Sequence, residues 1–365
     1  MPSRPLRSWR LAAAAAAALL ALVPLPPGPV ERLYARGLYP LLQPAVTGAT
    51  NRVPFAVLDL LVAGAVAWIV WRLVRRWRAR GSRIRAAGAF AWDLAVGAAC
   101  VYVAFLVLWG LHYQRQPAAE RFAVSPDRVT AARLAQLGDL AVARVNTLYD
   151  PDRDQERLEA PALAADLERP FVRALDALGY GWRPLPGRPK PSLVAQLFRF
   201  AGVDGLMNPL ALEVIVNPDA LPFERPFLLA HEWAHLAGQA RESEASFVAW
   251  LACLEGPRDM QYSGWLAVLL HVRRSLPRGG AALLAALEEG PRADLEAIRR
   301  RLARVAPRVS RATWRVYDGY LRANRVESGL ANYDEVTTLI LGSRVAAGRL
   351  EPPPGGGPPP RPLHR

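Results

Sequence analysis

Lysine is almost missing from this chain: of 46 basic residues only Lys190 is a lysine, and the rest are arginine. Cysteine is scarce as well. Cys100 and Cys253 are too few for a disulfide framework, so each is read as a small buried hydrophobe. Acidic residues number 32, which leaves a net charge of +14. Such a balance fits nucleic acid in principle. Here the arginines stand beside apolar runs, so the charge is read as membrane flanking and no nucleic-acid partner is expected. Histidine is sparse too, five in 365 residues, which makes any grouping of histidines informative.

What the chain has in quantity is apolar residues, 52% of the total. Residues 1–10 are basic, with Arg4, Arg7 and Arg10, and an alanine- and leucine-rich run follows from Leu11. It reads as a first membrane helix over 11–28, retained rather than cleaved, because no small-residue cleavage site follows it. Residues 30–53, of mixed polarity, read as a connecting loop. A second span is expected over 54–71, with Asp59 as an interfacial residue near its outer end rather than a proton relay. Arg72, Arg75, Arg76, Arg78, Arg80, Arg83 and Arg85 then crowd one short loop, which the positive-inside rule places in the cytoplasm. A third span follows over 90–110, anchored by Trp92 and Trp109, with Asp93 at its cytoplasmic end. Residues 1–112 therefore form an anchor in the cytoplasmic membrane, N-terminus inside, and residues 113–350 an extracytoplasmic domain.

Within that domain the hydrophobic period predicts helices near 126–149, with Ser125 as N-cap, and near 158–179. A Pro/Gly loop follows, from Gly179 to Ser192. Leu212 to Asn217 is β-like and bounded by turn residues. It is expected as a sheet-edge strand to which a peptide could add, the alternative being a plain core strand. Glu213 within it is left open between a salt bridge and a substrate contact. Helices follow near 244–256, 261–275, 281–304, 308–323 and 332–347. Residues 351–365 are Pro/Gly-rich and are expected to be a disordered tail. The fold class is thus α-rich: three membrane helices, then a mostly α-helical α+β domain with a small sheet.

The chemistry concentrates at His231-Glu232-Trp233-Ala234-His235. On a helix, positions i and i+4 share a face, so both imidazoles can reach one metal ion. Glu232 can then act as base on a water at that metal. An apolar lead-in from Phe227 to Ala230, Pro226 near the first helical turn and Gly238 three residues after His235 all suit a buried helix with a defined end. A catalytic zinc site wants a third protein ligand, and Glu242 and Glu244 open the next helix. Glu242 is favoured, because small residues follow it at +3 and +4, Ala245 and Ser246; Glu244 remains the alternative. The polar residues Gln239, Arg241, Glu242 and Glu244, within ten residues of the motif, argue against a membrane span there and so against an intramembrane protease.

The run from His231 to Cys253, followed by Gln261-Tyr262-Ser263-Gly264, resembles the family described as domain of unknown function 3810. Gly205 to Asn217, Tyr317-Asp318-Gly319-Tyr320-Leu321 and Tyr333 match it as well, so the resemblance covers most of the chain. It implies a bacterial multi-pass membrane protein with a zincin-like domain and metallopeptidase chemistry. Ser246 stands where the family has Asn, replacing an amide near the site by a hydroxyl. The resemblance also brings Tyr262 and Tyr333 forward as candidates for stabilising an oxyanion; His271 is left as a core residue. The expectation is a zinc metallopeptidase acting on peptides or proteins of the envelope, with His231, His235 and Glu242 on Zn2+ and Glu232 as base. The rival is a zinc-binding envelope scaffold or peptide-binding module without catalysis.

Overall fold

The computed structural model describes residues 4–78, 82–159, 161–276, 280–324, 326, 335–343, 345–346 and 349–350. Tyr333 and the tail 351–365 lie outside these described residues.

Among the described residues, two helices are long and apolar enough to cross a membrane: α4 (Val57–Arg78) and α5 (Arg83–Leu108). The three spans expected from sequence therefore become two. The first helix, α1 (Arg4–Leu22), carries only a shorter apolar stretch, Trp9–Ala21, against the roughly 20 residues a bilayer core requires. Pro24, Pro26 and Pro27 soon after Leu22 deny it further turns. α1 lies along α5. Asp93, near the start of α5, is enclosed by arginines: Arg10 of α1 and Arg72 and Arg76 of α4 converge on it, the last two at 2.7 and 2.8 Å.

Residues 30–51, read from sequence as a loop, are helical. After α2 (Pro27–Pro29) comes a π-helical stretch, Val30–Leu38, and then α3 (Tyr39–Asn51). The mixed polarity hides a buried face whose polar members bond to later parts of the chain. Gln43 donates to Leu185 O at 2.8 Å and accepts from Leu185 N at 2.9 Å. Thr47 donates to Leu212 O at 2.8 Å, and Asn51 to Pro186 O at 2.9 Å. These partners lie more than 130 residues away, so no local pattern announces them. Tyr34, Tyr39, Trp109 and Tyr113 belong to the same hydrophobic core as the helices that follow.

After the single turn α6 (Ala118–Arg121) and a 3₁₀ turn at Pro126–Arg128, α7 (Ala131–Leu148) begins later than expected. Thr130 rather than Ser125 caps it, accepting from Arg133 N at 3.2 Å. α8 (Ala162–Ala177) and α9 (Ala195–Ala201) flank the Pro/Gly loop. The small sheet has the order β1 (Pro189–Lys190), β3 (Glu213–Val216), β2 (Gly205–Asn208), with β3 parallel to β1 and antiparallel to β2. The expected edge strand is thus the central one. Glu213, Val214 and Ile215 are buried in succession, the signature of a strand covered on both faces. Glu213 is resolved as well. Its carboxylate accepts from the sole lysine, Lys190, at 2.9 Å, from Asn208 at 3.0 Å, and from Val57 N and Leu58 N at 2.9 and 2.8 Å. It therefore satisfies the free N–H groups opening α4 and ties that helix to the sheet.

The centre of the molecule is α10 (Arg225–Leu236), α11 (Glu242–Leu254) and α12 (Arg258–Ser275), with Trp233, Trp250 and Trp265 fully buried between them. The helix expected over 281–304 divides into α13 (Gly280–Ala285) and α14 (Glu289–Leu302). α15 (Pro307–Ala323) follows, then α16 (Val336–Gly342) and a short pairing of β4 (Val345–Ala346) with β5 (Arg349–Leu350).

Candidate metal centre

α10 is built for its site at both ends. Glu224 accepts from Leu221 N at 3.0 Å just before it, and Pro226 occupies its first turn, where a missing N–H costs nothing. At the far end Gly238 adopts φ +86°, a left-handed conformation that ends the helix. A Cβ on Gly238 would also stand 2.6 Å from the His112 ring, so glycine is required twice over. The last carbonyls of α10 are satisfied by aromatic donors from the front of the chain. Trp109 Nε1 donates to His235 O and Tyr39 Oη to Leu236 O, both at 2.9 Å. The turn then brings Glu242 in as the first residue of α11, beside the two histidines.

His231 Nε2, His235 Nε2 and a carboxylate oxygen of Glu242 form a compact triangle. The edges are 2.9 Å for His231 to Glu242, 3.2 Å between the imidazoles and 3.6 Å for His235 to Glu242. A four-coordinate zinc with bonds of about 2.0–2.1 Å sets its ligand atoms roughly 3.3 Å apart, which these edges bracket. The tautomer agrees. His235 Nδ1–H donates to Gln239 O at 2.6 Å, which leaves its Nε2 with a bare lone pair. Ser246 Oγ stands 3.2 Å from His231 Nδ1, where the hydroxyl can fix that ring as well. Among the described residues this is the cluster of histidine and carboxylate atoms close enough to hold a metal ion.

The charges ask for a cation. Burial alone would depress the His235 pKa, but Glu242 and Glu232 together raise it to about 9. Burial would raise Glu242, yet the two imidazoles hold it well below the usual carboxylate range. Glu232 is raised by burial, partly offset by the imidazoles and by a hydrogen bond from Met207 N–H. Two buried carboxylates against two neutral rings leave a deficit that a proton or a divalent ion fills. Glu232 Oε2 is buried and has no hydrogen-bond partner.

Two residues that sequence reasoning did not assign shape the site. Tyr317, on α15, donates its hydroxyl to the second oxygen of Glu242. Gly205 opens β2 directly against Glu232: a Cβ there would come within 2.4 Å of its Oε1. Both fall in stretches that matched the family pattern, the signal by which they could have been found. Glu244, the alternative ligand, points elsewhere and meets Arg121 at 2.5 Å, each side chain only 5% exposed. Arg121 also donates to Gln239 Oε1 at 2.9 Å, so this pair braces the turn between the ligand helices. Tyr262 is not at the site; its hydroxyl donates to Asp294 at 2.6 Å, and its ring lies under Arg153. The geometry removes it as an oxyanion candidate. His271 bonds Arg274 on its own helix, through Nδ1 at 2.7 Å.

The model of the family described as "Protein of unknown function (DUF3810)" matches residues 34–341. No curated protein and no solved structure matches the chain.

Proposed function

We propose, for a chain that belongs to the DUF3810 family of proteins of unknown function, that it is a membrane-anchored zinc metallopeptidase acting on the outer face of the cytoplasmic membrane. The observation that carries the reading is the triangle of His231, His235 and Glu242 with the unpartnered Glu232 Oε2 beside it. That is a three-ligand set with a base and a coordination position to spare. Tetrahedral spacing and two nitrogen donors favour zinc over a hard-oxygen cation.

A zinc ion bound there supplies Lewis-acid polarisation of a carbonyl and makes water more acidic. The protein supplies the rest. His235 is held in its ligating tautomer by Gln239 O, and Glu242 by the Tyr317 hydroxyl. Glu232, raised by burial, takes a proton from the attacking water and returns it to the departing amine nitrogen. The edge strand nearest Glu232 is β2 rather than β3; its Met207 N–H is given to Glu232, and its remaining outward backbone groups are where an extended peptide would pair. α4 and α5 provide the anchor, and the arginines between and beside them set its orientation.

The test is made on the full chain, because Tyr39 and Trp109 cap the zinc helix from the anchor side. Purified in detergent, it should carry about one zinc per chain, and His235→Ala should carry none. Glu232→Gln should keep the metal and lose roughly 10²–10⁴-fold in peptide turnover. A metal-loaded wild type that cleaves no member of a diverse peptide library, with Glu232→Gln fully active in the cell, would leave a zinc-binding scaffold as the function.

A further inference from the structure

α9 carries two apolar faces, of which the protein uses one. Ala195 and Phe198 are buried against Ala56 and Ile215, and Ala201 on the same helix is buried as well. Leu197 and Phe200, three apart and so on one face of α9, are 59% and 49% exposed, and Leu193, in the turn that leads into the helix, is 79% exposed. Polar residues are the rule on an exposed face of a short surface helix. This stripe therefore requires a partner, and its attachment identifies which.

The start of α9 is bound to the first turn of α4. Asp59 accepts from Ser192 Oγ at 2.7 Å, from Leu193 N at 2.8 Å and from Val194 N at 3.3 Å. Ala56 N donates to Pro191 O at 3.0 Å. The height of that turn is fixed by length. α4 has 22 residues, a rise of roughly 33 Å, and Arg72, Arg75, Arg76 and Arg78 occupy its far end. A hydrocarbon core of about 30 Å leaves the first turn at the opposite boundary, and whatever is bound to that turn stands at the same level.

α15 reaches that level from the other span. Its start is joined to the end of α9, with Ala306 N donating to Phe200 O at 3.0 Å. Tyr320 packs on Phe105 in the last turn of α5, ring centroids 5.9 Å apart. Val309, Val316 and Tyr320 share one face of α15, and Val316, one turn from Tyr320, is 75% exposed. Exposed arginines flank that face: Arg308, Arg311 and Arg315, the arrangement of a helix lying at an anionic lipid surface.

We infer that α9 and α15 form a lip seated in the outer-leaflet interface of the same bilayer that α4 and α5 cross, with Leu193, Leu197, Phe200 and Val316 among the lipid chains. Tyr317, next to Val316, donates to Glu242, so the metal cluster stands one helix away from the lipid. The inference rests on the membrane-crossing half of the proposed function and is independent of its peptidase half.

The test uses the full chain with Cys100→Ala, in nanodiscs of zwitterionic and anionic phospholipid. The remaining Cys253 is fully buried. An environment-sensitive fluorophore is placed on Leu197→Cys, Val316→Cys, Val66→Cys within α4, or Glu296→Cys on α14. Lipids carrying a nitroxide at a shallow or a deep acyl position act as quenchers. Labels at 197 and 316 should emit to the blue of the label at 296 and be quenched more by the shallow nitroxide than by the deep one. The label at 66 should show the reverse order of quenching. Quenching at 66 with 197 and 316 no more quenched than 296 overturns the lip and leaves the anchor standing. Absence of quenching at 66 overturns the anchor, and the lip with it. Peptide turnover enters neither outcome.

Discussion

α4 and α11 are both apolar helices, and they treat water in opposite ways. None of the residues of α4 is buried, whereas every residue of α11 from Glu242 to Cys253 is. Burying a Val, Leu or Ile side chain is worth about 1.5–3 kcal/mol. Leu60, Val62, Val66, Ile69 and Val70, all exposed on α4, leave that gain unrealised unless lipid covers them. α11 has the reverse difficulty. Its buried first turn holds two carboxylates, and each buried ion costs several kcal/mol unless it is paired. Glu244 is paired within the chain, by Arg121. Glu242 faces two imidazoles and a phenol, partners that are all neutral when the rings serve as ligands. One helix calls for an apolar solvent, and the other for a proton or a divalent ion beside Glu242.

The comparison breaks most completely at Glu242. Glu242→Leu would make the opening of α11 as apolar as the start of α4. Metal content should fall from about one ion per chain to none, read by elemental analysis, with the helical circular dichroism retained. Glu244→Leu separates the two carboxylates. It strands the guanidinium of Arg121 in the interior, so the chain should lose about 3–5 kcal/mol of stability while keeping its metal. Equal loss of metal in both variants would contradict the assignment of Glu242 as the ligand.

Protonation tests the same rule without a substitution at the site. Burial alone would raise the pKa of Glu31, but hydrogen bonds and charge from Arg115, with Arg36 beside it, lower it from 4.5 to about 2. A depressed carboxylate stabilises fully above its unfolded pKa, and the contribution fades as pH falls from 4.5 toward about 2. It amounts to at most about 3 kcal/mol. Thermal unfolding in detergent between about pH 5 and pH 3 should show the decline, and Glu31→Gln should flatten it.

The cluster of His231, His235 and Glu242, which could hold a metal ion, was legible because its geometry is local. Two histidines four apart, a left-handed glycine and an acid on the next helix lie within twelve residues, and each step follows from helix geometry. The two apolar helices were legible by length. What escaped the sequence was distant pairing. The segment 30–51 reads as a loop because its polar side chains, Gln43, Thr47 and Asn51, bond to residues 185, 186 and 212. The strand at Glu213 looked like an edge because a two-residue β1 has no pattern of its own. Glu213 stayed ambiguous since the helix it caps begins 156 residues earlier, at Val57. Tyr262, close in sequence to the ligands, turned out to serve Asp294, and Tyr317, 75 residues from Glu242, to serve the site.

Tyr317 gives the smallest effect and the finest division between the two regions. Its hydroxyl engages the Glu242 oxygen on the far side from the imidazoles, which orients the carboxylate and fixes which oxygen faces the metal position. Its backbone belongs to α15, the helix whose neighbouring Val316 is exposed. Partners of this kind behind a metal ligand are worth about 10–100-fold in affinity. Tyr317→Phe removes the hydroxyl and keeps the ring, so the stacking on Tyr320 at 5.8 Å is retained. Zinc titration against a competing chelator should show affinity weakened within that range, with the unfolding midpoint of the metal-free chain nearly unmoved. Loss of stability without loss of affinity would make Tyr317 a packing residue, and the metal site would then be set by α10 and α11 alone. Loss of affinity without loss of stability would mean that α15, which packs against the end of α5, helps to set the ligand geometry.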